Sequence, residues 1–380
     1  MKAFPGRRRM RLAARCVVCS LSIVIPVAAA RARTAAPPPP PSLGLEAVTT
    51  RARAVTQQLS SAVLFHEAPP PVSVPPVLRA LVDNGWKANN ALEATSKPLE
   101  SSSARRVRVK LFSVFFTSHR WRGGPVRIFG YYGYPATSGR KPGLLLVHGG
   151  GGYATTDRVI EAARRGYAAL SIDLPGKGTQ REHKSRSTGP DMTVSQLFTV
   201  KPDLTDNYIY HAVLAQMRAI TFLCAQDQVD GNRIGLVGVS WGGATGLITT
   251  SLDRRVKCFV NLYGSGYIRG GSTWHDYLRR LPPAEADTWE AHFDAARYLA
   301  HIRVPVLGIT GTNDNCYYLP QFLQTLRGIQ PTPDLLLRPN LDHKIDTAAK
   351  RAYYQWLDAH LQGSAAQRPR LERLRMLATP

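Results

Sequence analysis

A serine hydroxyl between two glycines is the group in this chain whose surroundings most directly indicate chemistry. Ser240 lies in Gly238-Val-Ser-Trp-Gly242, which fits the pattern G-x-S-x-G. The stretch Arg233 to Val237 predicts a short buried strand, and Ala244 to Leu252 predicts a helix. A serine on so sharp a turn has a strained backbone, which raises its hydroxyl above the edge of a sheet. The glycines are expected because a side chain at either position would collide with the neighbouring strand or helix.

Two residues further along the chain could activate that serine. A serine hydroxyl is a weak nucleophile unless a base takes its proton, and the base needs an acid to orient it. Asp314 follows a predicted strand at residues 304–310, and His343 follows the last predicted strand at residues 335–338. In this interpretation His343 accepts the proton of Ser240, and Asp314 fixes the tautomer of the imidazole. The pattern G-x-S-x-G alone is common by chance, and without such partners the serine would be incidental.

Other residues compete for the two partner roles. Asp346 is a rival for the acid, whereas Asp342 is adjacent to His343 and is expected to point elsewhere. His301 precedes a predicted strand instead of following one, and His360 lies inside the predicted last helix, where a solvated or capping role is expected. Among these histidines, only His343 follows a strand, so it is the expected base.

A glycine run could supply the donors that an anionic intermediate needs. Gly149 to Gly152 follow a predicted apolar strand, and glycine lets the backbone approach a substrate oxygen closely. The backbone N–H of Trp241 and that of Gly149 or Gly150 are predicted to form the oxyanion hole. His148 is expected to hold the loop by a hydrogen bond. The alternative is a phosphate-binding loop, but the chain has no G-x-x-x-x-G-K-[ST] pattern.

The elements that must position these residues alternate between apolar strands and helices. This alternation predicts an α/β fold: a mostly parallel sheet with helices on both faces and its site at the carboxyl ends of the strands. A β-hairpin is predicted to precede it, with strands Val107 to Thr117 and Val126 to Tyr134. The other predicted strands are 144–147, 167–172 and 256–263, and the other predicted helices are 158–165, 208–225, 320–327 and 347–361.

An aromatic segment lies between the predicted strands at 256–263 and 304–310. Residues 264–300 are interpreted as a helical insertion that covers the site. Tyr153, Trp274 and Tyr317 are candidates for lining a substrate pocket, although aromatic residues in an insertion are more often part of the core.

The ends of the chain differ from its middle. Residues 1–33 have the basic, apolar and small-residue order of a secretory signal, and their apolar run is short for a membrane anchor. Residues 34–104 are interpreted as a proline-rich linker and an N-terminal extension, with helices predicted at 44–64 and 77–82. The catalytic domain is predicted at 105–362 and a basic tail at 363–380. We therefore expect a secreted or periplasmic protein without a membrane span once the signal is removed.

Charge and cysteine content limit the range of partners. The formal charge is +23, and loss of the eight basic residues in 1–33 leaves +15. No nucleic-acid motif accompanies this charge, so a solvated basic surface is expected and nucleic acid is not. Cys224, Cys258 and Cys316 would remain, which allows one internal disulfide at most, and no spacing predicts a zinc site. Cys258 lies in a predicted buried strand, where it is expected to act as a small apolar residue.

From about residue 105 to 362 the chain resembles the α/β-hydrolase superfamily, in which the order is Ser, Asp, His. Within it, the chain is similar to secreted bacterial acetyl xylan esterases and dienelactone-hydrolase-like proteins, which grade into prolyl-oligopeptidase catalytic domains. The resemblance implies serine hydrolysis of an ester or amide without a cofactor or metal. The motifs that carry it are Leu144-Leu-Leu-Val-His-Gly-Gly-Gly-Gly152, Gly238-Val-Ser-Trp-Gly-Gly243, Gly311-Thr-Asn-Asp314 and Asn340-Leu-Asp-His343.

Three functions are compatible with these residues. The first is a carboxylic-ester hydrolase acting on a small-molecule or polysaccharide ester. The second is a peptidase or amidase, which two features oppose: about 100 N-terminal residues cannot form a β-propeller, and Trp241 stands where many oligopeptidases have tyrosine. The third is a non-catalytic binding protein, which is opposed by the presence of all three reactive residues.

Overall fold

A nine-stranded sheet runs through the part of the chain that the computed structural model describes, residues 94–99, 107–176 and 186–363. The strands follow one another across the sheet in the order β1-β2-β3-β5-β4-β6-β7-β8-β9. Their bounds are β1 (Ala94–Leu99), β2 (Val109–Trp121), β3 (Gly124–Pro135), β4 (Lys141–Val147), β5 (Ala168–Ile172), β6 (Val229–Val239), β7 (Val256–Leu262), β8 (Val306–Gly311) and β9 (Asp334–Arg338).

The six strands from β5 to β9 across the sheet are parallel, whereas β1, β2 and β3 pair antiparallel at one end. Every residue of β4 and β5 is buried, because parallel strands are covered on both faces and therefore consist of continuous apolar runs. The predicted mostly parallel α/β sheet is confirmed.

Eight α-helices accompany the sheet in the described residues. Their bounds are α1 (Thr156–Arg164), α2 (Val194–Phe198), α3 (Tyr208–Cys224), α4 (Trp241–Leu252), α5 (His275–Arg279), α6 (Pro283–Phe293), α7 (Leu319–Arg327) and α8 (Thr347–Leu361). None of these helices is long and apolar enough to serve as a membrane span.

Two apolar cores lie on opposite faces of the sheet. Leu145 and Val147 of β4 point into the core formed with α3 and α4, and Leu144 and Leu146 point into the core formed with α1 and α8. The alternation follows from the pleat of a strand, in which successive side chains leave opposite faces. Helices therefore cover both faces, and the strands that carry the predicted site are fixed between them.

Several element boundaries differ from the predicted ones. Helix α4 begins at Trp241 instead of Ala244, so Ser240 is the last residue before it. Strand β6 begins at Val229 instead of Arg233, and its pairing shifts register where Gly231 and Asn232 resemble a turn.

The sheet also includes residues before the predicted domain boundary at 105. Strand β1 pairs with β2 and was not predicted, because its polar sequence and its proline lack the pattern of a buried strand. Helix α2 lies at residues 194–198, where no helix was predicted. The signal at 1–33, the helices at 44–64 and 77–82, and residues 364–380 of the basic tail lie outside the described residues.

Candidate active site

Ser240 occupies the turn between β6 and α4 in a conformation that few non-glycine residues adopt. Its φ is 54° and its ψ is −119°, and its N–H donates to the carbonyl of Leu262 at 2.8 Å. A Cβ at Gly238 would collide with the backbone of Gly242, and a Cβ at Gly242 would collide with the carbonyl oxygen of His148. The glycines are therefore required by close backbone approaches, as the sequence pattern predicts.

Ser240, His343 and Asp314 form one continuous hydrogen-bonded array. The Oγ of Ser240 lies 2.8 Å from Nε2 of His343, and Nδ1 of His343 lies 2.9 Å from Oδ2 of Asp314. A carboxylate can only accept, so Nδ1 carries the proton and Nε2 is free to accept from the serine hydroxyl. This is the tautomer that a general base needs.

The carboxylate of Asp314 is held from behind by the backbone. Its Oδ1 accepts from the N–H groups of Cys316 at 2.8 Å and Tyr317 at 2.9 Å. Its side chain is fully buried, whereas the side chain of His343 is 19% exposed. The array thus extends from the buried carboxylate of Asp314 to the partly exposed imidazole of His343.

Two loops are joined to each other beneath this pair. Thr312 donates its N–H to the carbonyl of Arg338, and Asn313 donates to that of Leu341. Asn340 in turn donates its N–H to Oγ1 of Thr312 at 2.8 Å. These hydrogen bonds fix the distance between the loop after β8, which holds Asp314, and the loop after β9, which holds His343.

The glycine loop after β4 lies against the serine. A Cβ at Gly149 would be 2.8 Å from Cβ of Ser240, and a Cβ at Gly150 would be 3.2 Å from Cδ1 of Trp241. Trp241 opens α4, so its N–H has no acceptor one turn earlier in the helix. The structure thus places the backbone of Gly149 and Trp241 next to the serine, and that of Gly150 beside the ring of Trp241.

His148 fastens the glycine loop to the end of β5. Its Nε2 accepts from the N–H of Leu174 at 2.9 Å, and its Nδ1 lies 2.7 Å from the carbonyl of Gly149, to which it donates. Burial lowers the pKa of His148 to about 4, so the ring is neutral at physiological pH. Asp173 adds a further bond by accepting from the N–H of Ala154 at 2.7 Å. The predicted loop-holding hydrogen bond of His148 is therefore present.

Aromatic rings pack around the imidazole and the serine. The ring of Tyr263 lies 4.4 Å from that of His343 in an edge-on arrangement, and the ring of Tyr317 lies 5.9 Å away. Trp241 packs against Trp274 at 5.3 Å. Tyr263 was missed from the sequence, although its position directly after β7 places it at the same sheet edge as the other site residues.

The three candidate pocket residues differ in exposure. Tyr317 is fully buried and Trp274 is half-buried, whereas Tyr153 is 39% exposed on the glycine loop. The hydroxyl of Tyr317 and the Nε1 atoms of Trp241 and Trp274 are buried without a hydrogen-bond partner in the structure.

The rival residues have structural roles. Asp346 accepts from the N–H of Ala349 at the start of α8 and pairs with Arg338 at 2.6 Å. Asp342 is 61% exposed beside Lys344. His360 forms no hydrogen bond with the array, and its Nδ1 lies 2.8 Å from the carbonyl oxygen of Trp356. All three remaining cysteines are free, and Cys258 is buried in β7 as expected.

Comparisons with known proteins agree with this fold. A model of the acetyl xylan esterase family matches residues 84–268, and a model of the prolyl oligopeptidase family matches residues 206–364. Acetyl esterase Axe7A of Xylanibacter ruminicola is 28% identical over 203 residues, which are 50% of this chain and 46% of that protein. The chain thus spans about half the length of the curated relative it matches.

Solved structures extend the likeness over most of the chain. Acetyl xylan esterase from Paenibacillus sp. R4 has a TM-score of 0.64 at 19% identity, covering 77% of this chain and 98% of its own. Acetyl xylan esterase 1 from Thermoanaerobacterium sp. JW/SL YS485 has a TM-score of 0.60 at 20% identity, covering 76% and 95%. The chain therefore has the α/β-hydrolase fold. Its resemblance is to the acetyl xylan esterases, as its sequence motifs predict.

Proposed function

We propose that this protein is a serine hydrolase that cleaves carboxylic esters through an acyl-enzyme intermediate. The observation that carries the proposal is the array in which Ser240 lies 2.8 Å from His343 and His343 lies 2.9 Å from Asp314. No cofactor is required, because the base, the nucleophile and the orienting acid are all side chains of this chain.

The first half of the reaction forms the acyl-enzyme. His343 takes the proton of Ser240 as Oγ attacks the ester carbonyl, and Asp314 stabilises the imidazolium. The oxyanion receives hydrogen bonds from the backbone N–H of Trp241 and from Gly149 or Gly150, assisted by the positive end of the α4 dipole. His343 then gives the proton to the leaving alcohol.

The second half hydrolyses the acyl-enzyme and regenerates the free serine. Water takes the place of the alcohol, His343 removes one of its protons, and the resulting hydroxide attacks the acyl carbon. The intermediate collapses, the Ser240 oxygen regains its proton from His343, and the carboxylic acid leaves. The same donors stabilise both tetrahedral intermediates, so one oxyanion hole serves both steps.

The substrate we propose is a small acyl ester on a polysaccharide, such as acetylated xylan. The similarity to acetyl xylan esterases supports this choice. We further propose action outside the cytoplasm, on the basis of the signal pattern at 1–33.

The decisive experiment replaces the proposed nucleophile. Ser240→Ala is expected to lower kcat for 4-nitrophenyl acetate by about 10⁴-fold or more, with an unchanged circular dichroism spectrum. Ser195→Ala is the matched control, because Ser195 is exposed on α2 and should retain full activity. A fluorophosphonate probe should label the wild type and the control at Ser240 and leave Ser240→Ala unlabelled.

A substrate panel separates ester from amide hydrolysis. We expect kcat/KM for aryl acetates to exceed that for aminoacyl amides by a wide margin, and acetate to be released from acetylated xylan. Wild-type-like turnover by Ser240→Ala would contradict the proposed mechanism, and a preference for the amides would contradict the proposed substrate.

A further inference from the structure

A thiol stands beside the array that the proposed reaction uses. Cys316 follows Asp314 by two residues, and its Sγ, a carboxylate oxygen of Asp314 and a ring nitrogen of His343 all lie within 4.8 Å of one another. Asp314 is buried, whereas Cys316 and His343 are partly exposed, so the cluster can be reached from solvent. The spacing of residues along the sequence does not predict this cluster, because His343 lies on a different loop from Asp314 and Cys316.

These three groups are the ligand types that a thiophilic divalent cation prefers. Zinc binds thiolate sulfur at about 2.3 Å, imidazole nitrogen at about 2.0–2.1 Å and carboxylate oxygen at about 2.0–2.2 Å, which places neighbouring ligand atoms roughly 3.3–3.8 Å apart. Nδ1 of His343 and Oδ2 of Asp314 are 2.9 Å apart and must separate slightly to admit the cation. The Sγ atom of Cys316, within 4.8 Å of both partners, must move closer, which rotation of the Cys316 side chain can supply.

We propose that Asp314, Cys316 and His343 form a binding site for a thiophilic divalent cation such as Zn²⁺, and that the bound cation suppresses hydrolysis. The bound cation would take no part in catalysis, because the proposed serine mechanism has no step for a metal. The cation-binding half of the proposal stands on geometry alone, and the inhibitory half rests on the proposed function.

The inhibitory effect follows from the tautomer of His343. In the array, Nδ1 holds its proton against Asp314 and Nε2 is free to accept the proton of Ser240. A cation on Nδ1 displaces that proton, and the neutral ring must then carry its proton on Nε2. The ring can no longer take the serine proton, so the nucleophile stays unactivated.

The proton balance of binding is simple. The Cys316 thiol carries a proton that it must lose in order to bind the cation. Binding releases this proton to solvent, and the imidazole keeps a single proton that moves from Nδ1 to Nε2. Asp314 retains its two backbone hydrogen bonds, because a carboxylate has further lone pairs for the cation.

Cadmium is a suitable probe, since its bond to a thiolate has a charge-transfer absorption in the ultraviolet. The full chain is titrated with Cd²⁺ in a background of Cys16→Ser and Cys19→Ser, which removes the thiols of the predicted signal. Cys316→Ser is compared with Cys224→Ser, a matched control because Cys224 is also a free and partly exposed thiol. Ser240→Ala is included so that binding is measured where hydrolysis is not.

We expect a saturable Cd²⁺–thiolate band in the background protein, in the Cys224→Ser control and in Ser240→Ala, and its loss in Cys316→Ser. Hydrolysis of 4-nitrophenyl acetate should be inhibited by Cd²⁺ in the background protein, with an inhibition constant at least about tenfold weaker in Cys316→Ser. The rate of each variant without added metal is measured first, and inhibition by Cd²⁺ is expressed relative to that rate.

An undiminished band in Cys316→Ser would overturn the site, and so would loss of the band in the Cys224→Ser control. Binding through Cys316 that leaves hydrolysis unchanged would overturn the inhibitory half. Binding through Cys316 in a protein that hydrolyses no ester would support the cation site and contradict the proposed function instead.

Discussion

The two halves of the candidate site are built in different ways. The central half lies on β4 and β6, in the middle of the sheet, and holds Ser240 and the glycine loop. Strand β4 is fully buried, and β6 is buried over residues 234–238. The outer half lies on β8 and β9, and β9 is an edge strand whose residues are exposed or half-buried. Asp314 and His343 stand on this outer half.

The difference shows which force positions each group. In the central half, close backbone contacts at Gly238 and Gly242 restrict the position of Ser240, so packing positions the proposed nucleophile. In the outer half, hydrogen bonds between the loops after β8 and β9 position the proposed acid and base. Substitutions that add atoms should therefore damage the first half, and substitutions that change a donor or acceptor should damage the second.

The largest effect is expected from Asp314→Asn in the outer half. The asparagine oxygen can keep the bonds from Cys316 and Tyr317, but its amide then donates to Nδ1 of His343. The ring must hold its proton on Nε2, which cannot accept from Ser240, so kcat for 4-nitrophenyl acetate should fall about 10⁴-fold. Steady-state kinetics test this, and urea unfolding should show a folded protein.

Asp342→Asn is the matched control for that change. Asp342 is adjacent to His343 in sequence but is 61% exposed, so its kcat should equal that of the wild type. Equal losses in the two variants would show that general charge near the base, and not the tautomer, controls the reaction.

A smaller effect on activity is expected from Gly242→Ala in the central half. The new methyl group meets the carbonyl oxygen of His148, which must move away from the serine turn. A displacement of this kind should lower kcat/KM about 100-fold, and crowding should lower the free energy of unfolding by about 1–3 kcal/mol. Gly124→Ala is the control, because its Cβ would approach only the carbonyl of Trp121 at 3.7 Å. Full activity in Gly242→Ala would show that packing does not set the serine.

The last effect concerns acid stability, with no loss of activity expected at neutral pH, and again distinguishes the central half. The pKa of His148 is about 4, below its ordinary value of 6.5, so the unfolded chain binds more protons between these values. The free energy of unfolding should therefore be highest above about pH 6.5 and fall by on the order of 2–3 kcal/mol toward about pH 4. His148→Gln should lack this component, whereas His360→Gln on α8 should keep it, as measured by urea unfolding at several pH values.

Much of the fold was predictable because its signals are local. The fully apolar run at 144–147 and the alternation of such runs with helices define a parallel sheet, and helix 347–361 agrees with the prediction at both ends. The relation of Ser240, Asp314 and His343 was also predictable, because each follows a strand and parallel strands end at one edge.

What could not be predicted depends on contacts between distant segments. Strand β1 pairs with β2 at the edge of the described sheet, and its polar sequence lacks the apolar pattern of a buried strand. The packing of Tyr263 on His343, and the approach of Cys316 to the same ring, depend on how the loops after β7, β8 and β9 converge. Sequence spacing contains no measure of that convergence.

The position of β9 as the last of the nine strands along the chain has a consequence during translation. A nascent polypeptide that has passed residue 311 already contains the strands from β2 to β8, together with the serine and the glycine loop. It still lacks His343, the proposed base, until the ribosome has added residue 343 and β9 has joined β8. The proposed reaction therefore depends on a late step of biosynthesis, after which α8 is the one described helix that remains to be made.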